Sequence, residues 1–386
     1  MHYSELIIKK FCQLFGNHPQ VSLRAPGRIN LIGEHTDYNE GFVMPAGINK
    51  AIYFCLGKRE DKKIIINAFD LKEEIELADI DNFDVKPNSW SNHTLGVIKE
   101  IQKLGYYFDS GINVCFGGDI PNGAGLSSSA AVESGFGFGL NELFGFELTT
   151  IDLALIAQKT EHNYVGVNCG IMDMFASLFS KENKVIKLDC KDLSFEYFPI
   201  NLLNHQLVLV NSEVKHNLAE SAYNNRREEC LSGVATLKTM FPEINSLRDA
   251  SLTNLDAVKN KLTDVVYNRC KYIIEENHRV NNAAIFLKQG NMAEFGTLMK
   301  ETHLGLSSLY EVSCSELDFL FENAISFNGV LGSRMMGGGF GGCTINLVEK
   351  DKIHDFVAYI KQKFKEFIGI DPPCIVVEIE EGVGII

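Results

Sequence analysis

The feature that most constrains this chain is the run Gly117-Gly118-Asp119-Ile120-Pro121-Asn122-Gly123-Ala124-Gly125-Leu126-Ser127-Ser128-Ser129-Ala130-Ala131. Before it, Ile112 to Phe116 is short, β-prone and mostly apolar, which reads as a strand. After it, Ala130 to Phe144 lacks proline and is rich in apolar residues, which reads as a buried helix. Gly123 and Gly125 permit backbone angles and approaches that a Cβ forbids. Ser127, Ser128 and Ser129 stand where a helix's first N–H groups lack partners, and they read as its caps. Such a turn can hold a phosphate chain against the positive end of the helix dipole; a tight strand-to-helix connection is the plainer alternative. Gly135, Gly137 and Gly139 fall inside the helix. Each costs about 1 kcal/mol relative to alanine, so close packing must offset them. No Gly-Lys-Ser/Thr ending follows, and the spacing is wrong for a dinucleotide fingerprint. A phosphate loop without its own lysine must draw positive charge from elsewhere.

At 386 residues the chain exceeds one ordinary domain. No Gly/Ser linker marks a boundary; placed near Asn204, it gives parts 1–205 and 206–386. A net charge of −14 argues against a nucleic-acid surface, and no apolar run is long enough to span a bilayer. Met1 to Gly16 reads as a short amphipathic helix, not a signal peptide. The ten cysteines stand singly with no Cys-x-x-Cys pair, which argues against structural zinc and for free thiols in a cytosolic protein.

A second segment, Leu23 to Gly41, carries Pro26-Gly27, Gly33 and Gly41 as chain punctuators. Between them Arg28, Asn30, Glu34, His35, Asp37 and Tyr38 look too polar for a core strand and too irregular for a helix face. Each alone reads as part of a solvated loop. Together, carboxylates, an imidazole and an amide suit a polyhydroxylated ligand, whose hydroxyls both donate and accept. Metal binding by Glu34, His35 and Asp37 lacks supporting spacing.

Farther on, Phe42 to Leu56 and Ile64 to Ile66 read as strands, and Leu71 to Asn88 as an acidic stretch with a loop at Pro87. Trp90, the only tryptophan, is either core filler or an aromatic flank for an adenine; it precedes a helix from about His93 to Leu104. Thr150 reads as a helix cap. Ile171, Phe175 and Leu178 then fall on one helical face and leave Asp173 on another. Asp173 is the only charged residue between Glu161 and Lys181. It is either a helix-start residue favoured by the dipole or a working acid/base. Ser221 to Lys238, Val258 to Gly290 and Met292 to Leu304 read as helices. The glycine cluster Gly337 to Gly342 flows into an alternating strand and lets backbone approach something closely.

These segments, in this order, resemble the galactokinase branch of the GHMP kinases (galactokinase, homoserine kinase, mevalonate kinase, phosphomevalonate kinase). Pro121 to Ala131 matches the superfamily's second motif, and Met335 to Thr344 its third. Gly27 to Tyr38 looks like the galactokinase signature and is the most specific of the three. The resemblance implies an α+β fold of two parts, an N-terminal one like ribosomal protein S5 domain 2 and a ferredoxin-like C-terminal one, with the active site between them. It implies phosphorylation of D-galactose at C1 by ATP, with Asp173 as base and Arg28 between it and the γ-phosphate. It further implies magnesium on Ser129 and Glu161, the sugar held by Glu34, His35, Thr36, Asp37 and Tyr223, and the nucleotide by Trp90 and Gly123 to Ser129. The chain would act as a monomer. A kinase for N-acetylgalactosamine or a galacturonate is the nearest rival, and a non-catalytic galactose/ATP sensor the rival from another class. The intact serine run, Arg28 and Asp173 speak against the sensor. Two positions depart from the family pattern: Met174 stands where glutamine is usual, and His93 where tyrosine is.

Overall fold

A computed structural model describes residues 2–121, 123–215 and 219–386. Met1 of the expected N-terminal helix, Asn122 of the glycine turn and residues 216–218 lie outside that description, as do the side chains of residues 215 and 219–221. The chain opens with α1 (Tyr3–Phe15), then β1 (Val21–Asn30), the short β2 (Phe42–Val43), the long β3 (Pro45–Lys58), β4 (Ile64–Ala68) and β5 (Glu73–Leu77). After α2 (Asn92–Lys103), β6 (Ile112–Gly118) inserts between β3 and β4, antiparallel to the first and parallel to the second. Strand residues alternate faces. In β3, Ala51, Tyr53 and Cys55 therefore meet Ile7 and Phe11 of α1, while Ile52, Phe54 and Leu56 face the main core. Onto that second face pack α3 (Ser128–Phe144) and α5 (Met172–Phe179), with α2 and α4 (Thr150–Thr160) alongside α3. A π-helical turn, Glu161–Val165, follows α4.

The chain continues through β7 (Lys184–Asp189) and β8 (Phe195–Pro199), which form a small antiparallel sheet with β2. Next come β9 (His205–Lys215), α6 (Ala219–Lys238), α7 (Leu252–Ala257), α8 (Asp264–Gln289), α9 (Met292–Ser308) and α10 (Ser315–Ser326). Last are β10 (Val330–Met335), β11 (Gly341–Glu349), α11 (Ile353–Ile368), β12 (Cys374–Val377) and β13 (Gly384–Ile385). The four-stranded sheet has the order β10-β11-β9-β12, all antiparallel. One of its faces packs Val208, Val210 and Val348 against Phe356, Ile360 and Phe364 of α11. The other turns Leu207, Leu209, Ile345 and Leu347 into the main core. The six-stranded sheet runs β13-β1-β3-β6-β4-β5, so the last strand of the chain returns to pair with the first. Among the described residues no helix is long and apolar enough to cross a membrane.

Four local readings are corrected. Arg28 and Asn30 lie in β1, not in a loop, because β3 and the turn before α3 supply backbone partners on both sides. Part of the acidic stretch after Leu71 forms the edge strand β5, paired only with β4. Thr149, not Thr150, caps α4, through a reciprocal capping box with Asp152. The helix expected from Val258 starts at Asp264, after a 3-10 turn at Lys259–Lys261.

The helical glycines divide by what they face. A Cβ on Gly135 would lie 2.5 Å from Cβ of Ala25 and 2.8 Å from the Phe54 ring, and one on Gly139 2.8 Å from Leu56. Glycine here brings α3 onto β1 and β3. A Cβ on Gly137 would meet nothing closer than 3.6 Å. Gly135→Ala is therefore expected to cost about 1–3 kcal/mol through overpacking. Gly137→Ala should be neutral or gain up to about 1 kcal/mol of helix propensity. Urea denaturation of both variants checks this; a stabilised Gly135→Ala would show that the contact with the sheet is not tight.

Candidate active site

Two side chains 145 residues apart in the chain meet where β1, α5 and the glycine turn converge. Arg28 Nε donates to Asp173 Oδ1 at 2.6 Å and Nη2 to Oδ2 at 2.8 Å, a two-pronged ion pair. The Arg28 side chain is 6% exposed, that of Asp173 26%, so the carboxylate is the member that reaches solvent. Arg28 also donates from Nη1 to Gly125 O at 2.5 Å and from its backbone N to Leu126 O at 3.1 Å. The lysine-free turn thus takes its cation from β1. Gly123 (φ 73°) and Gly125 (φ 70°) are both left-handed, as the turn requires.

The serines do not cap α3 as expected. Ser127 occupies the N-cap position in a left-handed conformation (φ 55°, ψ 52°) and makes no side-chain capping bond. Its hydroxyl instead donates to Asp173 Oδ2. Ala124 and Leu126 are buried and anchor the turn, while Gly123 and Gly125 are exposed.

Asp173 and Arg28 line a cavity of about 350 Å³ together with Glu34, His35, Asp37, Cys169, Gly170, Met172, Tyr223, Gly337 and Gly338. Glu34, His35, Asp37 and Tyr223 from the sequence reading are thus gathered around the pair. Thr36 is not among the lining residues: it is fully buried, and its hydroxyl meets the carbonyls of Gly33 and Phe42. Burial pushes His35 down to about 3, so its imidazole is neutral, and Nδ1 is engaged by the Tyr38 hydroxyl at 2.7 Å. Its Nε2 has no hydrogen-bond partner. Asp37 presses on the backbone of Gly170, where a Cβ would sit 1.9 Å from Oδ2; only glycine permits that approach. Met174 is buried in the main core, so the family's usual glutamine is replaced at a position turned away from the cavity.

The sequence reading missed Arg334. Fully buried in β10, it donates to Leu31 O at 2.9 Å, to Met335 O at 2.7 Å, to Asn30 O, and to Glu34 Oε1 at 3.0 Å. Gly337 N reaches the same Glu34 oxygen at 2.8 Å. An arginine just before the glycine cluster was the available signal, but its acceptors on Asn30, Leu31 and Glu34 lie some 300 residues away.

A second cleft, about 660 Å³, lies beside the start of α3 and is lined by Ile52, Trp90, His93, Phe116, Ser128 and Ser129 among others. Trp90 flanks it, with its ring 6.1 Å from that of Phe116 and Nε1 donating to Glu73. Glu161 is buried at the π-helical turn. Among the described residues, the one group able to hold a metal combines it with His93 and Glu133, their ligand atoms within 4.8 Å of one another. No such group forms at Glu34, His35 and Asp37. Burial pushes His93 down to about 4 and raises Glu133 well above the usual carboxyl range, with Glu161 adding to the latter.

Burial first, and the nearby Asp173 carboxylate next, raise the Asp37 carboxyl to about 7 in the ligand-free protein. The folded state then holds this proton more tightly than the unfolded chain, whose carboxyl titrates at its ordinary value near 4. The corresponding stability is full below that value and is lost as pH rises through about 7. Asp37→Asn is expected to flatten this loss, raising the urea midpoint at pH 8 relative to wild type more than at pH 4. An equal shift at both pH values would place the titration elsewhere.

Residues 9–58 match the galactokinase galactose-binding signature, residues 92–181 the GHMP kinases N terminal domain, and residues 283–366 the GHMP kinases C terminal family. The galactokinase of Clostridium beijerinckii is 39% identical over 375 residues, 96% of each chain. That of Fusobacterium nucleatum is 40% identical over 386 residues, 98% of this chain and 99% of the relative. The structure of Lactococcus lactis galactokinase complexed with galactose aligns over 100% of both chains at 36% identity, with a TM-score of 0.94. The mevalonate kinase of Methanococcus jannaschii, at 18% identity and a TM-score of 0.67 over 95% of this chain and all of that one, shares the fold. The α+β architecture with two GHMP kinase parts is the one the resemblance implied. Since the signature match, residues 9–58, includes the loop that walls the cavity, and the likeness runs the full length of these relatives, this chain belongs to the galactokinase family of the GHMP kinases.

Proposed function

We propose that this chain transfers the γ-phosphoryl group of ATP to the C1 hydroxyl of D-galactose, giving galactose 1-phosphate and ADP. One observation carries the reading: a carboxylate, Asp173, clamped by Arg28 and Ser127, in a cavity otherwise lined by hydroxyl-binding groups. A carboxylate offers about four lone-pair sites. Three hydrogen bonds from Arg28 and Ser127 leave one for the C1 hydroxyl. Asp173 accepts that proton as the C1 oxygen bonds to the γ-phosphorus, while the bond to the bridging oxygen breaks and ADP leaves with its electron pair. Arg28, fixed beside the base, faces charge that builds on the transferred group. Glu34 and Asp37 accept from sugar hydroxyls, and neutral His35 and Tyr223 complete the ring of partners. Thr36 supports this set from behind by shaping the loop.

We assign the second cleft to ATP. Trp90 flanks the base, and the turn Gly123, Ala124, Gly125, Leu126 with Ser127, Ser128 and Ser129 receives the phosphates at the positive end of α3. Ser127 contributes its backbone there, its hydroxyl being committed to Asp173. The donors nearby suit a hard cation: Ser129 and Glu161 would hold Mg2+, which when bound offsets charge on the phosphates. The division at 205/206 accords with this reading, since Tyr223, Gly337 and Gly338 wall the cavity from the second part and all other lining residues from the first. We also propose that the chain acts as a monomer.

Release of ADP, followed over galactose, N-acetylgalactosamine, galacturonate and glucose, should be fastest with galactose; equal rates across the panel would sink the substrate assignment. Asp173→Asn should still bind sugar and nucleotide but lose roughly 10²–10⁴-fold in kcat. Ser127→Gly removes a left-handed serine together with its hydroxyl. It should leave the melting temperature unchanged or higher, yet lower kcat about 10- to 100-fold at similar sugar KM, as a lost hydrogen bond to a charged group does. Wild-type kcat in Ser127→Gly would remove the hydroxyl from the mechanism.

A further inference from the structure

His35 combines two features that folding alone does not favour. Its backbone is left-handed (φ 63°), a region that a side chain enters at a cost. Its Nε2 is buried without a hydrogen-bond partner, in a residue that lines the cavity around Asp173. The other ring nitrogen is tied to a line of groups that runs away from the cavity. Nδ1 lies 2.7 Å from the Tyr38 hydroxyl, that hydroxyl lies 2.8 Å from the Tyr310 hydroxyl, and the latter lies 3.2 Å from Cys230 Sγ. Three remote segments meet here: the sugar-side loop, the turn after α9 and helix α6. The Tyr310 ring also packs on the imidazole, their centroids 4.9 Å apart. Tyr38, Tyr310 and Cys230 are not among the cavity's lining residues.

Protons can be counted along this line. Burial raises the Tyr38 and Tyr310 phenols well above their ordinary range and pushes the Cys230 thiol up to about 11, so each keeps its proton. The neutral imidazole carries one more. Four protons serve three links, so one is left over at an end: the imidazole's, on Nε2, or the thiol's. A phenol is a stronger acid than a neutral imidazole N–H, and an imidazole nitrogen is a stronger base than a phenol oxygen. Sulfur, in turn, is a weak acceptor. The better set of bonds therefore has Cys230 donating to Tyr310, Tyr310 to Tyr38 and Tyr38 to Nδ1, which leaves the imidazole proton on Nε2. There it faces a cavity lined by the carboxyl groups of Glu34, Asp37 and Asp173, which would repel a bare lone pair.

We propose that Tyr38 and Tyr310 are positioning residues of the sugar site, which lock His35 in its Nε2–H form so that it donates to one hydroxyl oxygen of the sugar. The inference rests on the sugar reading of the cavity. An ionised carboxylate only accepts, whereas a hydroxyl turns either way, so a locked donor fixes the direction of one further contact. A sugar without an oxygen at that place leaves a buried N–H unpaired, and the site discriminates against it.

The test uses the full chain labelled with 15N-histidine, the His35 signals being assigned by their loss in His35→Asn. Proton–nitrogen correlation spectra of the wild type should show a protonated Nε2 and a bare Nδ1. Tyr38→Phe should shift this pattern toward a mixture of the two forms; Tyr310→Phe, which leaves Tyr38 its proton, should shift it less. In Tyr38→Phe the KM for galactose should rise roughly 3- to 10-fold with kcat nearly unchanged, as loss of one neutral hydrogen bond does. Galactoses lacking the hydroxyl at C2, C3, C4 or C6 tell a directed contact from general loosening. The variant should raise KM for three of them and leave it unmoved for the one that lacks the oxygen His35 serves. A protonated Nδ1 in the wild type, an unmoved pattern in Tyr38→Phe, or equal KM rises with all four analogues overturns the proposal. If Tyr38→Phe does not fold, Tyr310→Phe and the wild-type spectrum decide. The spectra need no turnover: the Nε2–H signal without galactose phosphorylation leaves the lock standing and sinks the kinase reading, and turnover with a protonated Nδ1 does the reverse.

Discussion

A single guanidinium organises this molecule. Arg28 belongs to β1, yet it bonds the turn before α3 through Gly125 and the helix α5 through Asp173. Strand, glycine turn and the Asp173 carboxylate are thereby fixed relative to one another by one side chain. A buried ion pair of this kind adds little net stability, because stripping water from both charges offsets most of their attraction. Removing one partner is a different matter, costing about 3–5 kcal/mol as the other charge is left alone. The pair is better understood as a positioning device. Ser127 fits the same logic: a left-handed serine costs about 1–3 kcal/mol, and a hydrogen bond to a carboxylate returns a similar amount.

The sugar-side loop is polar in sequence and buried in the structure, and α8 explains how both hold. Buried backbone groups need partners. Gly33 N finds Glu276 Oε1 at 2.7 Å, Phe42 N finds Asn277 Oδ1 at 2.9 Å, and Tyr272 donates to Glu34 O at 3.1 Å. Arg334 meets the carbonyls of Asn30 and Leu31 from the opposite side and also holds the Glu34 carboxylate. The loop is therefore sculpted by residues from the second half of the chain. Glu34 serves that tie with one oxygen, and the residue also lines the cavity.

These long reaches mark the limit of what a linear reading conveys. The strand, glycine turn and helix were legible because their signals are local: apolar periodicity, missing Cβ atoms, absence of proline. The close packing demanded by Gly135 and Gly139 was legible from an energetic cost that something had to offset, and Ala25, Phe54, Leu23 and Leu56 supply it. Asp173 stood out as a lone charge among apolar residues, but its ion-pair partner, Arg28, lies 145 positions earlier in the chain. The capping role given to the serines failed for a similar reason. Local rules assign a helix-start hydroxyl to the nearest free N–H, and Ser127 found a charged acceptor 46 residues away. Thr36, which the resemblance places among the sugar contacts, has its hydroxyl taken up by its own loop.

Two acidic clusters lie on either side of α3's first turn, and their counter-charges differ in kind. Around the sugar cavity, Asp173 and Glu34 each face a buried guanidinium, Arg28 and Arg334. Asp37 has no such partner there, and burial moves it toward its neutral form. Charge is thus balanced within the protein, and what remains are directional donors and acceptors, the right surface for a neutral polyol. Beside the second cleft, Glu133 is met by the imidazole of His93, which burial keeps neutral. Burial and the neighbouring Glu161 favour the protonated form of a carboxyl so placed. The start of α3 thus divides carboxylates balanced by buried guanidiniums from a carboxyl met by a neutral imidazole.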